Sequence, residues 1–348
     1  MPLIGAFPRR LVVAALAVGV LGCDRRPCAS DPAAAVSAEQ AVVFFETNQG
    51  GVSILSATGR RIKTLRIPPG QSVDSLTPDL SGWSFAQVRR GDPRRGTSEL
   101  VVYVSWPQKG AYEVLRQEID SAKSTAVGSY ELQWITADGA AFFLRNLDEL
   151  SLVRLCGSQL SHLPVAKDVA AFAHTDTRLY TLSRNKIRWR GIPESAQDHE
   201  RGERVVPEAF DGVEIGPSPD QLVLFRKPPA RAPALTDFYL LDVSTGNGRW
   251  LQFRGAGAVI AFLPIKGTGE AVVEVSEAQE RFDGRALTNF YVWNYGNGNA
   301  RRFFCESYDL TPQARPNNLY LPPSAGCKAE APRPAGALLR FAAGTCPA

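Results

Sequence analysis

The chain has 348 residues, 44% of them hydrophobic and 21% charged, and its 39 Lys and Arg stand against 35 Asp and Glu for a formal net charge of +4. That length is ample for a large core in one β domain or in two. The basic pairs Arg60-Arg61, Arg89-Arg90, Arg94-Arg95 and Arg301-Arg302 lie far apart instead of forming one concentrated face, which argues against nucleic acid as a partner.

The first element is a leader. Arg9-Arg10 precede an apolar run of about 11 residues, Leu11 to Leu21, which ends at Gly22-Cys23; a charged segment, an apolar segment and a small residue before a cleavage point make an export signal. A helix that crosses a bilayer needs roughly 20 residues, so the run is too short to remain as an anchor. Val20-Leu21-Gly22-Cys23 resembles the bacterial lipobox. The resemblance implies that residues 1–22 are a lipoprotein signal peptide and that Cys23 carries the palmitate-type lipid. It also implies, from Asp24 directly after it, retention at the inner membrane, facing the periplasm. Three acyl chains, at about 0.8 kcal/mol per buried methylene, hold a protein firmly to a membrane. The competing expectation is cleavage further on, near Cys28-Ala29-Ser30 or Ala33-Ala34-Ala35, which gives a soluble periplasmic or secreted protein. Loss of residues 1–22 removes Arg9 and Arg10 and leaves a net charge of about +2, a balance that selects no partner.

Residues 23–40 are small and polar, with Pro27, Pro32 and an alanine run, and read as a lipid anchor and flexible tether. From residue 41 to residue 305 short apolar runs rich in β-branched and aromatic residues alternate with Gly, Pro, Asn and Asp clusters, and no stretch of 12 or more residues keeps a helical period. The predicted strands are Val42 to Phe45, Gly51 to Ser56, Ser84 to Val88, Leu100 to Ser105, Ala141 to Leu144, Leu222 to Phe225, Phe238 to Val243, Ala271 to Val275 and Asn289 to Trp293. The fold class expected is all-β.

A phrase recurs along this region: Leu76-Thr77-Pro78-Asp79, Ile135-Thr136-Ala137-Asp138-Gly139, Ala173-His174-Thr175-Asp176 and Gly216-Pro217-Ser218-Pro219-Asp220. Each precedes an apolar strand, and the aspartates step by 59, 38 and 44 residues, the longest step holding an insertion from Arg89 to Ser98. Proline presets its own φ and Asp bonds its downstream backbone, so the phrase forces a tight reversal between strands. Repeats of this period with several strands each predict propeller blades. Later in the fourth unit comes Ser244-Thr245-Gly246-Asn247-Gly248, and in the next Gly296-Asn297-Gly298, glycine-rich hairpin turns.

These units resemble the Ser-Pro-Asp-Gly blades of the TolB-type periplasmic propellers, relatives of the WD-repeat folds, over roughly Val42 to Cys305. Only Asp138 is followed by the glycine of that pattern, and the Ala261 to Gly269 unit has no Asp at the turn. The expectation is a β-propeller of about five to six blades. Val42 to Ile67 forms an N-terminal partial blade that a C-terminal strand around Ala337 to Phe341 closes. The alternative fold is a β-sandwich pair.

Residues 306–348 form a Pro-rich, Cys-containing C-terminal segment. In an oxidising compartment Cys305, Cys327 and Cys346 are candidates for a disulfide that staples Cys327 to one of the other two, with connectivity open. No Cys-x-x-Cys pair occurs and no metal site is expected, while Cys156 reads as a small buried hydrophobe.

Chemistry is sparse. There is no Gly-x-Ser-x-Gly elbow and no phosphate loop, so no cofactor is expected. The three histidines, His162, His174 and His199, stand in unrelated contexts; Asp198-His199-Glu200 reads as a solvated loop and Asp148-Glu149 as loop charges. Trp83, Trp106, Trp134, Trp189, Trp250 and Trp293 fall nearly one per unit and are expected to pack between blades; exposed around a pocket they would stack on sugar rings or anchor a protein. The function expected is that of a non-catalytic cell-envelope lipoprotein whose propeller binds an envelope protein or glycan. The alternative is a propeller-type lyase or glycosidase with carboxylates from several blade loops.

Overall fold

A computed structural model describes residues 31–39, 42–48, 51–58, 60–68, 71, 73–90, 97–120, 130–136, 138–156, 159–192, 201–227, 234–255, 257–265, 267–277, 285–309 and 339–340. One helix, α1 (Pro32–Ala38), precedes a succession of antiparallel strands. The first sheet holds β1 (Val42–Asn48), β2 (Gly51–Ser56) and β3 (Arg61–Leu65), and its remaining strand is β24 (Leu339–Arg340), which pairs with β1. The second sheet is β4 (Ser75–Leu76), β5 (Trp83–Arg90), β6 (Thr97–Trp106) and β7 (Gly110–Asp120); the third is β8 (Tyr130–Trp134), β9 (Ala141–Asn146), β10 (Glu149–Cys156) and β11 (Gln159–Ala166). The fourth comprises β12 (Ala171–His174), β13 (Arg178–Ser183), β14 (Lys186–Gly191) and β15 (Gly202–Val205), and the fifth β16 (Gly212–Ile215), β17 (Gln221–Arg226), β18 (Thr236–Asp242) and β19 (Gly248–Trp250). The sixth is β20 (Ala258–Pro264), β21 (Glu270–Glu277), β22 (Arg285–Asn294) and β23 (Ala300–Asp309).

The described residues thus form six four-stranded meanders. The first strands lie against one another, β24 on β4, β12 on β16 and β16 on β20, so the sheets radiate from a common centre and do not stack as a sandwich. This is a β-propeller. Eight of the nine predicted strands fall inside observed ones, and the ninth, Phe238 to Val243, runs one residue past the end of β18 at Asp242. Part of the expected Arg89 to Ser98 insertion continues the β5–β6 ladder, with Arg89 opposite Glu99 and Arg90 opposite Ser98.

The reason for each blade turn is visible in its hydrogen bonds. Between β4 and β5 the Thr77 hydroxyl takes the amides of Ser81 and Gly82, and Asp79 takes Ser81 N at 2.8 Å. Thr136 does the same for Ala141 N at 2.9 Å, with Asp138 holding Ala140 N. Thr175 serves Thr177 and Arg178, and in the Ala261 to Gly269 unit Thr268 holds Glu270 N at 3.2 Å, so a hydroxyl replaces the missing Asp.

One hydrophobic cluster fills each seam between neighbouring sheets. Val52, Ile54 and Leu65 of the first sheet meet Leu76, Trp83 and Phe85 of the second, and the pattern continues around the ring to Val223, Phe225 and Phe238 of the fifth against Phe262, Val273 and Trp293 of the sixth. Polar tips of the packed aromatics then bond to the neighbouring blade. Trp106 Nε1 donates to Asp138 O at 3.2 Å, Trp134 Nε1 to Ser75 Oγ at 3.2 Å, Tyr180 Oη to Pro219 O at 2.9 Å and Trp293 Nε1 to Gln252 O at 3.2 Å. A buried aromatic needs such a partner for its polar end. Trp83, Trp106, Trp134 and Trp293 are therefore inter-blade packing residues as expected, and Trp189 is partly buried against the fourth–fifth seam. Trp250 departs from the rule and is 49% exposed.

Two further expectations differ from the structure. Within the stretch read as a tether, residues 32–38 form α1: Asp31 caps it through Ala33 N at 2.9 Å, a proline occupies its first turn, and Ala34, Ala35 and Ala38 are buried between β2 and the sixth sheet. Small side chains that suit a tether also suit a helix wedged into a narrow seam. Cys156, expected to be buried, is an exposed free thiol at the end of β10.

Candidate functional site

Most of the sequence-derived site residues fall outside the described residues. Cys23, Cys28, Cys327 and Cys346 lie outside the described residues, as does Asp198-His199-Glu200, and Cys305 is placed only as backbone on β23. His162 lies on β11, whereas His174 ends β12 in the third–fourth seam, its ring edge-on to Phe143 at 5.5 Å. Asp148 precedes β10, and Glu149, its first residue, pairs with Lys167 at 3.1 Å as a solvated surface pair. Among the described residues no group of three or more His, Cys, Asp or Glu could hold a metal ion.

Two polar arrangements stand out. The first joins blades. Tyr130 donates to Asp74 Oδ2 at 2.8 Å, linking the starts of β8 and β4. Burial raises the Asp74 carboxyl above its ordinary value, and burial together with the Asp74 charge raises the Tyr130 phenol. Nearby on β8, Gln133 Nε2 donates to Glu131 at 2.6 Å and to Phe172 O of the next blade at 3.1 Å, and Arg145 faces Glu131 at 3.5 Å. Tyr130 and Gln133 reach the blades on either side, while Glu131 and Arg145 brace them from within the third sheet, which makes the cluster a tie between blades.

The second arrangement faces solvent. On the outer rim, where β19 of the fifth sheet meets the β22–β23 hairpin of the sixth, a cleft of about 350 Å³ is lined by Arg249, Trp250, Gln252, Arg254, Asn297 and the backbone around them. Local sequence explains its wall. Trp250, Gln252 and Arg254 are exposed while Leu251 is buried and Phe253 partly so, the two-residue alternation of extended chain, which turns one indole, one carboxamide and one guanidinium to the same side. The floor is drawn close by Gly298, whose φ of +77° suits glycine and where a Cβ would stand 2.5 Å from Gln252 O. Arg254 N donates to Gly298 O at 2.9 Å, and Arg249 Nη1 to Tyr295 O at 3.2 Å.

Trp250 is braced, not loose: its ring meets Tyr239 edge-on at 5.0 Å and Phe210 at 5.9 Å. The indole lies on the face of the fifth sheet that it shares with its cross-strand partner Tyr239, toward the fourth blade, whereas Arg249, opposite Leu240, lies on the face toward the sixth. Neither Arg249 nor Arg254 forms an ion pair among the described residues, whereas Arg116, Arg145, Arg178, Arg188, Arg226 and Arg301 each do. No carboxylate lines the cleft. Its chemistry is that of two guanidiniums without an ion pair among the described residues and two carboxamides, a set suited to holding a ligand. Sequence reasoning had Trp250 only as one of six tryptophans; the Trp-x-Gln-x-Arg alternation beside a Gly-Asn-Gly turn was the signal that it did not use.

The class that the fold defines is the β-propeller. No protein-family model matches the chain, and no curated protein matches it in sequence. Among solved structures it is similar to a putative TolB from Agrobacterium tumefaciens, with a TM-score of 0.42 and 11% identity over 76% of this chain and 88% of that one. It is also similar to Kuenenia stuttgartiensis hydrazine synthase (TM-score 0.38, 14% identity), covering 66% of this chain and 64% of that one, less than two thirds of its length. A third likeness is to the WD40 domain of SCAP from fission yeast, with a TM-score of 0.33 and 7% identity over 76% of this chain and 73% of that one. Likenesses at this level carry nothing about chemistry, and the propeller stands on its own strand pairing.

Proposed function

We propose that this chain is a non-catalytic, lipid-anchored cell-envelope protein that binds an envelope ligand in the rim cleft between its fifth and sixth blades. The observation that carries the reading is a concave rim site lined by Arg249, Trp250, Gln252, Arg254 and Asn297, in which neither arginine forms an ion pair among the described residues and Trp250 is half exposed. Aromatic and arginine side chains dominate binding surfaces because they offer large area and strong directional donors at low cost in ordering.

Anchoring rests on the lipobox-like Val20-Leu21-Gly22-Cys23. Since Asp31 already caps a docked helix, eight residue-to-residue steps separate it from Cys23, a reach of about 27 Å at full extension. Lipid on Cys23 therefore keeps the seam between the sixth and first blades close to the membrane surface. Mass spectrometry of the N-terminus from native membranes tests the anchor: a diacylglyceryl-modified Cys23 is expected, and an unmodified N-terminus beyond Cys28 overturns it. A photo-crosslinking residue in place of Gln252 tests the cleft. Transfer to an envelope component, abolished by Trp250→Ala, is expected, and transfer that ignores Trp250→Ala contradicts the site.

A further inference from the structure

Each blade ends in an outer strand with an open edge, and proteins blunt such edges with charged side chains because a bare one templates pairing with another strand. β3, β7, β15, β19 and β23 each carry at least one Arg, Lys, Asp or Glu. β11 is the exception: its eight residues, Gln-Leu-Ser-His-Leu-Pro-Val-Ala, include none. Among the described residues no strand pairs with its outer edge. Gln159, Ser161, His162, Leu163 and Pro164 are exposed, and Leu163 leaves 46% of its surface in solvent.

The register fixes which backbone groups that edge offers. Leu155, the partner of Leu160, donates its N–H to Ala140 O at 2.8 Å on the β9 side, so it turns away from β11 and the two residues share no ladder bond. Antiparallel pairs alternate between bonded and non-bonded, which makes His162 opposite Val153 and Pro164 opposite Ser151 non-bonded as well. Pro164 agrees independently, since a residue without an N–H fits a strand where that position faces away from the ladder. The open edge therefore presents the N–H and C=O of Leu160 and His162 and the C=O of Pro164.

These groups stand in balance on either side of His162, and we infer that β11 is a self-association edge, which pairs antiparallel with β11 of a second copy about a twofold axis at His162. A twofold contact needs a surface that complements itself. About this axis His162 exchanges both of its bonds with His162 of the second copy, and Leu160 N–H of each chain meets Pro164 O of the other. The missing N–H of proline leaves only the Leu160 carbonyl to water. Leu163 comes to stand opposite Ser161 of the second copy and diagonal to its Leu163, at about 7–8 Å, within reach of long side chains, so the exposed leucine gains an apolar neighbour. No like charges meet across the axis. Addition of a foreign strand takes its specificity from side chains beside the edge; β11 has no charge with which to select one, whereas its own copy matches it along the whole strand.

Sedimentation velocity of the full chain over a range of concentrations should show a monomer–dimer equilibrium. Leu163→Lys sets two ammonium groups near the axis and should weaken the dimer at least about tenfold. Val205→Lys, the same kind of change at a 66% exposed site on β15, should leave it unaltered. Both side chains are exposed, so neither change should unfold the monomer. Bonded antiparallel partners stand about 5.5 Å apart at Cα, a span that a disulfide covers, so mild oxidation of His162→Cys should give a dimer whose peptide map holds a 162–162 bridge. A chain that is monomeric at every concentration, a dimer that Leu163→Lys does not weaken, or a bridge formed only through other cysteines overturns the inference. In a monomer, slow hydrogen exchange at the Leu160 and His162 amides would assign the edge to another segment of the same chain, and protection gained only with added envelope extract would assign it to a foreign strand; either result contradicts pairing between copies.

Discussion

The two seams that flank the sixth blade are built differently. Toward the fifth blade the seam is a block of large aromatics: Trp293 touches Phe238 at 5.1 Å, Phe253 at 5.7 Å, Phe262 at 5.8 Å and Tyr295 at 5.5 Å, and its indole nitrogen bonds to Gln252 O. Toward the first blade, where the ring must close, the partners are small. Ala34, Ala35 and Ala38 of α1 pack against Leu55, Ala57, Ile265 and Val292, and the closing strand β24 contributes two paired residues to β1. A junction between blades consecutive in sequence is held by side-chain volume. The junction that joins the two ends of the chain is held by added pieces of backbone, with Asp31 N on Arg302 O at 2.7 Å and the Asp31 carboxylate on Arg301 at 3.4 Å.

The largest expected effect lies in the aromatic seam. Trp293→Ala removes a fully buried ring and its hydrogen bond, and should lower unfolding free energy by about 3–5 kcal/mol in urea titration. A loss under about 1 kcal/mol would show that the seam repacks and that its aromatics are not the main tie.

Next comes the pH dependence of the closing seam. Glu274 lies on β21 opposite Phe290 and two residues from Val272, hence on the face that meets α1 and the first blade. Burial raises its carboxyl from an ordinary 4.5 to about 7. The folded state therefore binds a proton that the unfolded state has released between these values, and stability falls as pH rises from about 4.5 through about 7. The full window is worth up to about 3 kcal/mol at 1.36 kcal/mol per unit. Glu274→Gln should flatten the stability profile in that window, and an unchanged slope would place the titrating group elsewhere.

A smaller effect belongs to the helix cap. Asp31→Ala removes the acceptor for Ala33 N and the carboxylate facing Arg301, and should cost about 1 kcal/mol in the same titration, with Asp31→Asn recovering most of it. Recovery by Asn separates the cap from the ion pair, which at this exposure is worth little.

The sequence made the inner part of each blade legible because those strands are buried on both faces and read as apolar runs: Ala141–Asn146 and Gln221–Arg226 show four consecutive buried residues each. Outer strands were not legible. β15, Gly-Glu-Arg-Val, alternates half-buried and exposed positions, and β19, Gly-Arg-Trp, is exposed throughout, so neither carries an apolar run and both owe their strand geometry to backbone pairing with β14 and β18. The cleft was hidden for the same reason, because Arg249 sits on an outer strand while its partner Tyr295 O belongs to the next blade's turn. α1 was missed because an alanine-rich stretch beside prolines has the composition of a linker, and only the seam around it selects the helix.

The central claim is a ring closed by pairing the first strand with the last. Val43 and Leu339 are direct partners in the β1–β24 ladder, and antiparallel partners stand about 4.5–5.5 Å apart at Cα, inside the range that a disulfide spans. Oxidation of the Val43→Cys, Leu339→Cys double variant followed by peptide mapping should yield a 43–339 bridge and a higher unfolding midpoint than the same variant reduced. Thiols at 43 and 339 that stay free, or that pair only with other cysteines, would contradict closure of the ring by β24.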